Sequence, residues 1–312
     1  MANFALIGVG GYIAPRHLRA IKETGNTLLA AVDKNDSVGI IDSYFPEAAF
    51  FTEFERFDRH IEKMRMGEGE NIDYVSICSP NYLHDAHIRF ALRIGANAIC
   101  EKPLVLNPWN LDLLEKLEKI SDGNIYSILQ LRYHQSIVAL KKMVKESPPD
   151  RIFDVDVKYV SSRGKWYDVS WKGDIKKSGG IATNIGVHLF DMLLWIFGAV
   201  EKNVIHSCND RFSAGELRLK RAVVKWFLSI ERKHLPHKIE KPTFRSVAVD
   251  GKEIEFSQGF DDLHKVNYQK ILEGNGLGTK DVRPSIELIS NIRKKTISRK
   301  HGKGNSIHEW VF

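Results

Sequence analysis

The chain has little of what would make it a secreted, metal-clustered or membrane protein. Its three cysteines, Cys78, Cys100 and Cys208, form an odd, sparse set without metal-ligand spacing. That excludes a disulfide framework and a Cys/His metal cluster, and no metal is expected. Cys78 and Cys100 end apolar runs, where buried structural thiols are expected, and a reducing cytoplasm fits. No stretch approaches the roughly 18 apolar residues needed to cross a bilayer, so no membrane partner is expected. The opening residues run directly into an apolar segment without a basic stretch, so no signal peptide is expected. There is no internal repeat and no low-complexity segment. The formal charge of +7 is spread along the chain. The exceptions are Arg293-Lys294-Lys295 and Arg299-Lys300, which end a helix-like segment where cations suit the dipole and solvent. Nucleic acid is therefore not expected as a partner.

What is present fits a globular α/β protein. With 312 residues, 43% of them hydrophobic, the chain exceeds the size at which one core stops growing, so two domains are expected. Residues 3–8, 27–33, 72–78, 96–100 and 125–130 are short apolar runs, as expected of buried parallel strands. Helix-like segments separate them, 13–24 among them, with residues 81–95 and 108–121 the clearest. The last begins at Asn107-Pro108, a cap followed by proline in the first turn. This alternation predicts an N-terminal Rossmann domain, a doubly wound parallel sheet, over residues 1–122. Beyond it the pattern changes. Residues 153–160 alternate apolar and charged, 217–230 continue as a β-like run, and Val247–Phe256 reads as a hairpin turning at Asp250-Gly251. A C-terminal α+β domain with a large, mostly antiparallel sheet is expected over 123–312. The last dozen residues read as a tail whose Trp310, Val311 and Phe312 could dock on something.

Gly8-Val9-Gly10-Gly11-Tyr12-Ile13-Ala14 lies between the first strand and the first helix, and Asp33 ends the second strand. A glycine turn alone is a weak signal, but in this context it meets the requirements of a dinucleotide fingerprint. Gly8 permits the tight turn, and Gly10 lets a pyrophosphate approach the amides of a helix N-terminus. Ile13 departs from the pattern, because the small residue, Ala14, comes one position late. Asp33 is placed to bind an adenosine ribose and would repel a 2′-phosphate, so NAD is expected rather than NADP.

Two further loops leave strands at the same sheet edge, Ser79-Pro80-Asn81 and Glu101-Lys102-Pro103. Ligands of open α/β sheets bind beyond the carboxyl ends of strands. Taken alone, the first is as well read as a helix-capping turn, and Lys102 as a solvated surface lysine. In the second half, Gly180 to Asp191 would place Asn184, His188 and Asp191 on one face if helical. A polar stripe on an apolar helix is expensive unless it lines a cavity or is hydrogen-bonded.

The Gly8 turn, Asp33, Ser79-Pro80-Asn81 with His84, Glu101-Lys102-Pro103 and the Gly180–Asp191 block together resemble the glucose-fructose oxidoreductase / inositol dehydrogenase (Gfo/Idh/MocA) family across nearly the whole chain. The resemblance implies a cofactor site at Gly8, Gly10, Gly11, Tyr12, Ile13, Asp33, Ser79, Pro80, Asn81, His84, Glu101 and Lys102. It also implies that Lys102 and His188 stand beside the nicotinamide and the carbon that loses hydride. Asn184 replaces the acid usual in that family. With the stretch from Ser162 to Gly180, this narrows the match to something similar to the family's UDP-N-acetylglucosaminuronate 3-dehydrogenases (WlbA/WbpB type). Those supply a 3-keto sugar to an aminotransferase in surface-polysaccharide (lipopolysaccharide) synthesis. Within the stretch, Arg163, Lys172 and Lys177 could meet a diphosphate and a carboxylate, and Trp166, Tyr167 and Trp171 offer flat faces for rings. The expected substrate contacts are Lys102, Arg163, Trp166, Tyr167, Trp171, Lys172, Ser178, Asn184 and His188. His188 is the preferred base, since an imidazole near neutrality suits the task, with Lys102 binding the developing alkoxide. A lysine of lowered pKa could exchange roles with it. The resemblance further implies a 2-oxo acid as hydride acceptor and a tetramer. Two alternatives stand beside this: another sugar or polyol dehydrogenase of the family, and a silent NAD-binding regulator.

Overall fold

The computed structural model describes residues 1–67, 70–236, 241–254 and 259–294. The chain divides into two compact units, Met1–Gln130 with Asp261–Arg283, and Leu131–Phe260 with the remainder from Pro284.

The first unit begins β1 (Asn3–Ile7), α1 (Ala14–Glu23), β2 (Thr27–Val32), β3 (Ala49–Phe51), α2 (Phe54–Met66) and β4 (Tyr74–Ile77). It continues α3 (His84–Arg93), β5 (Asn97–Cys100), α4 (Pro108–Glu118) and β6 (Ile125–Ser127). The central strands β1, β4 and β5 are short and almost wholly buried, as parallel strands covered on both faces must be, while the edge strand β3 is half-buried throughout. All five pairings are parallel, in the order β3-β2-β1-β4-β5-β6. The strand order reverses between β1 and β4, and that is where a dinucleotide crevice forms in a doubly wound sheet. The Gly8 turn and the Ser79 loop leave β1 and β4 at that point. Phe4, Leu6, Leu18 and Ile21 are fully buried in the core behind it.

The second unit runs α5 (Gln135–Glu146), β7 (Phe153–Ser161), then the short helices α6 (Trp166–Val169), α7 (Ile175–Ser178) and α8 (Gly180–Asn184). After them come α9 (Val187–Phe197), β8 (Val200–Cys208), β9 (Phe212–Leu219), β10 (Ala222–Ser229), β11 (Thr243–Val249) and β12 (Lys252–Glu253). The sheet order is β12-β11-β7-β10-β9-β8. Every pairing is antiparallel except β7 with β10. Helix α9 is apolar nearly all round and lies on this sheet, with Phe190 edge-on to Trp226 at 5.2 Å. A helix apolar on every side must be buried on every side.

Two helices remain. α10 (Leu263–Leu272) belongs to the first unit, packing Tyr268 and Ile271 into its core, and α11 (Thr279–Lys294) spans the division.

The expected parallel sheet and the mostly antiparallel one are both present, but several details differ. The run 217–230 is two strands, β9 and β10, reversing at Lys220-Arg221. β6 lies beyond the division expected at residue 122, and the segment 261–283 returns to the first unit. The hairpin turns at Asp250-Gly251 as expected, both residues having positive φ, 49° and 77°, the signature of a tight two-residue turn. Residues 295–312, with Trp310, Val311 and Phe312, lie outside the described residues, as does the end of the hairpin segment at 255–258. Cys78 and Cys100 are buried and free. No single helix among the described residues is long and apolar enough to cross a membrane.

Candidate active site

In the first unit the glycine turn is built by close approach. Gly8 sits at φ 90°, and a Cβ there would stand 2.7 Å from the Cys78 carbonyl carbon and 2.8 Å from the Ser79 amide nitrogen. Only glycine fits. The turn is closed by bonds from Gly8 N to Val32 O (2.8 Å) and from Gly11 N to Gly8 O (3.0 Å). Tyr12 is 89% exposed beside it. Ile13 packs its side chain against the core, and the fully buried Ala14 opens α1 with no side-chain cap. The close helix–strand packing that the fingerprint assigns to its third small residue is thus made by Ala14, one position late.

Asp33 is half-buried at the end of β2. Its Oδ2 accepts from Gly10 N at 3.0 Å, and its Oδ1 from Asn35 N at 2.9 Å. The carboxylate therefore braces the turn that it is expected to complete as a ribose site. Gly10 and Gly11 bring bare backbone to the N-terminus of a ten-residue helix that has no side-chain cap, an arrangement that fits a pyrophosphate.

The loops after β4 and β5 are tied together by His84, whose Nδ1 lies 2.7 Å from Pro103 O and whose Nε2 lies 2.8 Å from Ser79 O. Burial, the largest influence, lowers its pKa more than the two carbonyls raise it. Ser79 Oγ meets His87 Nδ1 at 2.8 Å, and Asn81 is buried. Glu101 is buried, and His17 Nε2 and His264 Nε2 both reach its Oε1 at 3.0 Å. Burial works against its charge, but hydrogen bonds from His17 and His264 outweigh it and hold the carboxyl well below the usual range. Lys102 is half-buried, and its main-chain N–H donates to Glu101 Oε2 at 3.2 Å. The Lys102–Pro103 bond is cis.

In the second unit the block from Gly180 to Asp191, whose polar residues would share one face if it were helical throughout, is not one helix. α8 and α9 are separated by Ile185-Gly186, and the segment Ile175–Asn184 meets α9 at a bend of 45°. A Cβ at Gly186 would lie 2.6 Å from Leu228 Cδ1 and from Ala182 O, so the break follows from chain pressed against the sheet. Asn184 and His188 consequently lie on different helices. Asn184 donates to the Tyr167 hydroxyl at 3.2 Å. His188 is half-buried in the first turn of α9. Asp191, one turn on, is committed to a buried two-pronged ion pair with Arg132 (2.9 and 2.7 Å).

The expected substrate residues separate into two sets. Lys172 lies over the rings of Trp166 (5.5 Å) and Trp171 (5.6 Å), within cation–π reach of both. Arg163 is half-buried. Tyr167, by contrast, is 2% exposed with its ring in the second core, so it offers no open flat face. Burial raises that hydroxyl's pKa, against Asn184, Arg163 and Arg211, which lower it. Ser178 is fully buried, donating to Asp174 O (3.0 Å) and accepting from Gly180 N (3.1 Å), so its hydroxyl serves the turn. Lys177 pairs with Asp174 at 3.7 Å.

Sequence reasoning missed His17, His264, Tyr268, Arg132 and Arg211. His17 carried a signal, being polar on the buried face of an amphipathic helix. His264 and Arg132 carried none, since their partners are far away in sequence.

A doubly wound parallel sheet with a glycine turn after β1, an acid at the end of β2 and a lysine loop after β5 is the arrangement of a dinucleotide-dependent dehydrogenase. Models of one oxidoreductase family match both parts, its NAD-binding Rossmann fold over residues 2–127 and its C-terminal alpha/beta domain over 141–218. The chain belongs to the Gfo/Idh/MocA oxidoreductase family. It is similar to the WlbA (WbpB) dehydrogenase from Thermus thermophilus, with 48% identity over 96% of this chain and 97% of that one, and a TM-score of 0.92. That enzyme has been solved with NAD and alpha-ketoglutarate, and with NAD and UDP-GlcNAcA. Among curated relatives, a putative UDP-kanosamine synthase oxidoreductase subunit of Amycolatopsis mediterranei is 31% identical over 150 residues, 47% of this chain and 41% of the relative. Glucose-6-phosphate 3-dehydrogenase of Bacillus subtilis is 24% identical over 63% of this chain and 54% of the relative. The chain thus spans about half the length of these curated relatives.

Proposed function

We propose that this chain oxidises the C3′ hydroxyl of UDP-N-acetylglucosaminuronic acid to the 3-keto sugar. The observation that carries this is near-half identity, over almost the whole of both chains, to a dehydrogenase solved with NAD and that nucleotide sugar. NAD, when bound, accepts the hydride from C3′. The glycine turn, the N-terminus of α1 and Asp33 would hold the dinucleotide. His188 takes the hydroxyl proton, and Lys102 donates a hydrogen bond to the oxygen as it gains negative charge. Arg163 and the Trp166–Lys172–Trp171 stack would meet the acidic and flat parts of the substrate. A 2-oxo acid taking the hydride back is supported by the alpha-ketoglutarate complex of the Thermus enzyme. Supply of the keto sugar to an aminotransferase in polysaccharide synthesis, a cytoplasmic location and a homotetramer belong to the same proposal.

The test is kinetic. His188→Asn and Lys102→Ala should each lower kcat by about a hundredfold or more, leaving Kd for NAD within about threefold. Near-normal turnover in both variants would defeat the assignment. The rival, another sugar or polyol dehydrogenase of the family, is supported by the glucose-6-phosphate 3-dehydrogenase and inositol 2-dehydrogenase relatives. UDP separates the two, competing with substrate only in a nucleotide-sugar enzyme.

A further inference from the structure

Lys102 is flanked by two buried hydrogen-bond systems, and the one on its N-terminal side reaches deep into the first unit. Glu101 Oε1 accepts from His17 Nε2 and His264 Nε2, each at 3.0 Å, and Oε2 accepts from the Lys102 amide at 3.2 Å. His17 Nδ1 lies 2.7 Å from the Tyr268 hydroxyl, which lies 2.6 Å from Ser76 Oγ. One tautomer assignment satisfies the whole chain. Ser76 donates to Tyr268, Tyr268 donates to His17 Nδ1, and His17 donates through Nε2 to the carboxylate. His17, Tyr268 and His264 are 0%, 0% and 1% exposed. A carboxylate at such a site is costly unless every charge-bearing oxygen is hydrogen-bonded, and three N–H groups meet that need. Two of the three come from helices remote in sequence, α1 and α10.

These contacts converge on the peptide unit from which the Lys102 side chain departs. The carboxylate holds the Lys102 amide directly, and His84 holds the Pro103 carbonyl on the other side. The same three residues also have the make-up of a cation site, since His17, Glu101 and His264 offer ligand atoms all within 4.8 Å of one another. Both nitrogens, however, stand at ordinary N–H···O distance from a single oxygen, and a cation would have to displace both protons.

We propose that His17, His264 and Tyr268 are positioning residues that clamp the Glu101 carboxylate and thereby aim Lys102, which rests on Lys102 being the group beside the reacting carbon. The clamp is read without catalysis, by labelling the Lys102 amine with trinitrobenzenesulfonate and following Lys102 and the exposed Lys34 by peptide mass spectrometry. In His264→Leu the Lys102 labelling rate should change about threefold or more while that of Lys34 stays put, and kcat should fall about tenfold to a hundredfold with Kd for NAD little changed. His264→Gln, which keeps an amide donor, should restore much of the loss. In a Lys102→Ala background His264→Leu should cost nothing further, because the two act as one unit. Unchanged Lys102 labelling in His264→Leu overturns the proposal whatever kcat does, and so does an equimolar divalent cation in the purified protein. If His264→Leu does not fold, Tyr268→Phe, which removes one hydroxyl, carries the same comparison. Full turnover in Lys102→Ala would instead count against the catalytic role of Lys102, leaving the labelling to decide the clamp.

Discussion

Replacing Gly8 by alanine tests the cofactor cradle and can be calibrated inside the same molecule. Two costs are expected. A left-handed φ of 90° penalises any Cβ by about 1–2 kcal/mol. The new Cβ would also stand 2.7–2.9 Å from the Cys78 carbonyl and the Ser79 amide, where ordinary contact begins at 3.4 Å. Those atoms are main chain leaving β4, so no rotamer change relieves the overlap, and overpacking of this kind costs a further ~1–3 kcal/mol. Gly25→Ala supplies the control. Its φ is 75°, but nothing lies within 4 Å of the added carbon, so only the first cost applies. Chemical denaturation should place Gly25→Ala about 1 kcal/mol below wild type with unchanged NAD binding. Gly8→Ala should fall about 2–5 kcal/mol below, and calorimetric titration should show NAD bound at least about tenfold more weakly, a loss of ~1.4 kcal/mol. Equal stability of the two variants, or NAD affinity in Gly8→Ala within about twofold of wild type, would refute the close-approach explanation.

Arg132→Leu should destabilise the second unit by about 3–5 kcal/mol in urea, because it strands the buried Asp191 carboxylate, and Arg132→Leu/Asp191→Leu should recover part of that. A single variant within about 1 kcal/mol of wild type would show the pair to be dispensable. His87, packed on Phe54, is pushed by burial down to about 4. Its neutral form is the one the fold accepts, so its contribution is complete above the unfolded value near 6.5 and is lost as pH falls toward 4, about 3 kcal/mol in all. His17 and His84 shift in the same direction. The slope of stability against pH between 6.5 and 4 should therefore be shallower in His87→Gln, and an unchanged slope would contradict the assignment.

Much of the first unit was legible because its signals are local. A parallel strand reads as an unbroken apolar run, and the Gly8 turn and Asp33 each sit at a strand end. The Asp250-Gly251 hairpin was legible for the same reason, since its two residues specify the turn. What could not be read depends on contacts distant in sequence. β7 pairs parallel with β10 although its alternation looks like that of an antiparallel strand. α10 returns to the first unit and buries His264 and Tyr268 there, a placement decided by Glu101 and Ser76 far upstream. The break at Gly186 was missed because helical periodicity is blind to the crowding of Leu228. Tyr167 was read as an open ring face because a loop sequence does not say which aromatic it buries.

The central claim is the site of oxidation on the sugar. Incubating the protein with NAD, UDP-N-acetylglucosaminuronic acid and 2-oxoglutarate, then quenching with borodeuteride, fixes any new carbonyl as a carbon–deuterium bond that mass spectrometry and NMR can place. Deuterium at C3′ of the sugar, absent when His188→Asn replaces the wild type, is the expected result. Recovery of undeuterated substrate, or deuterium at another carbon, would contradict it.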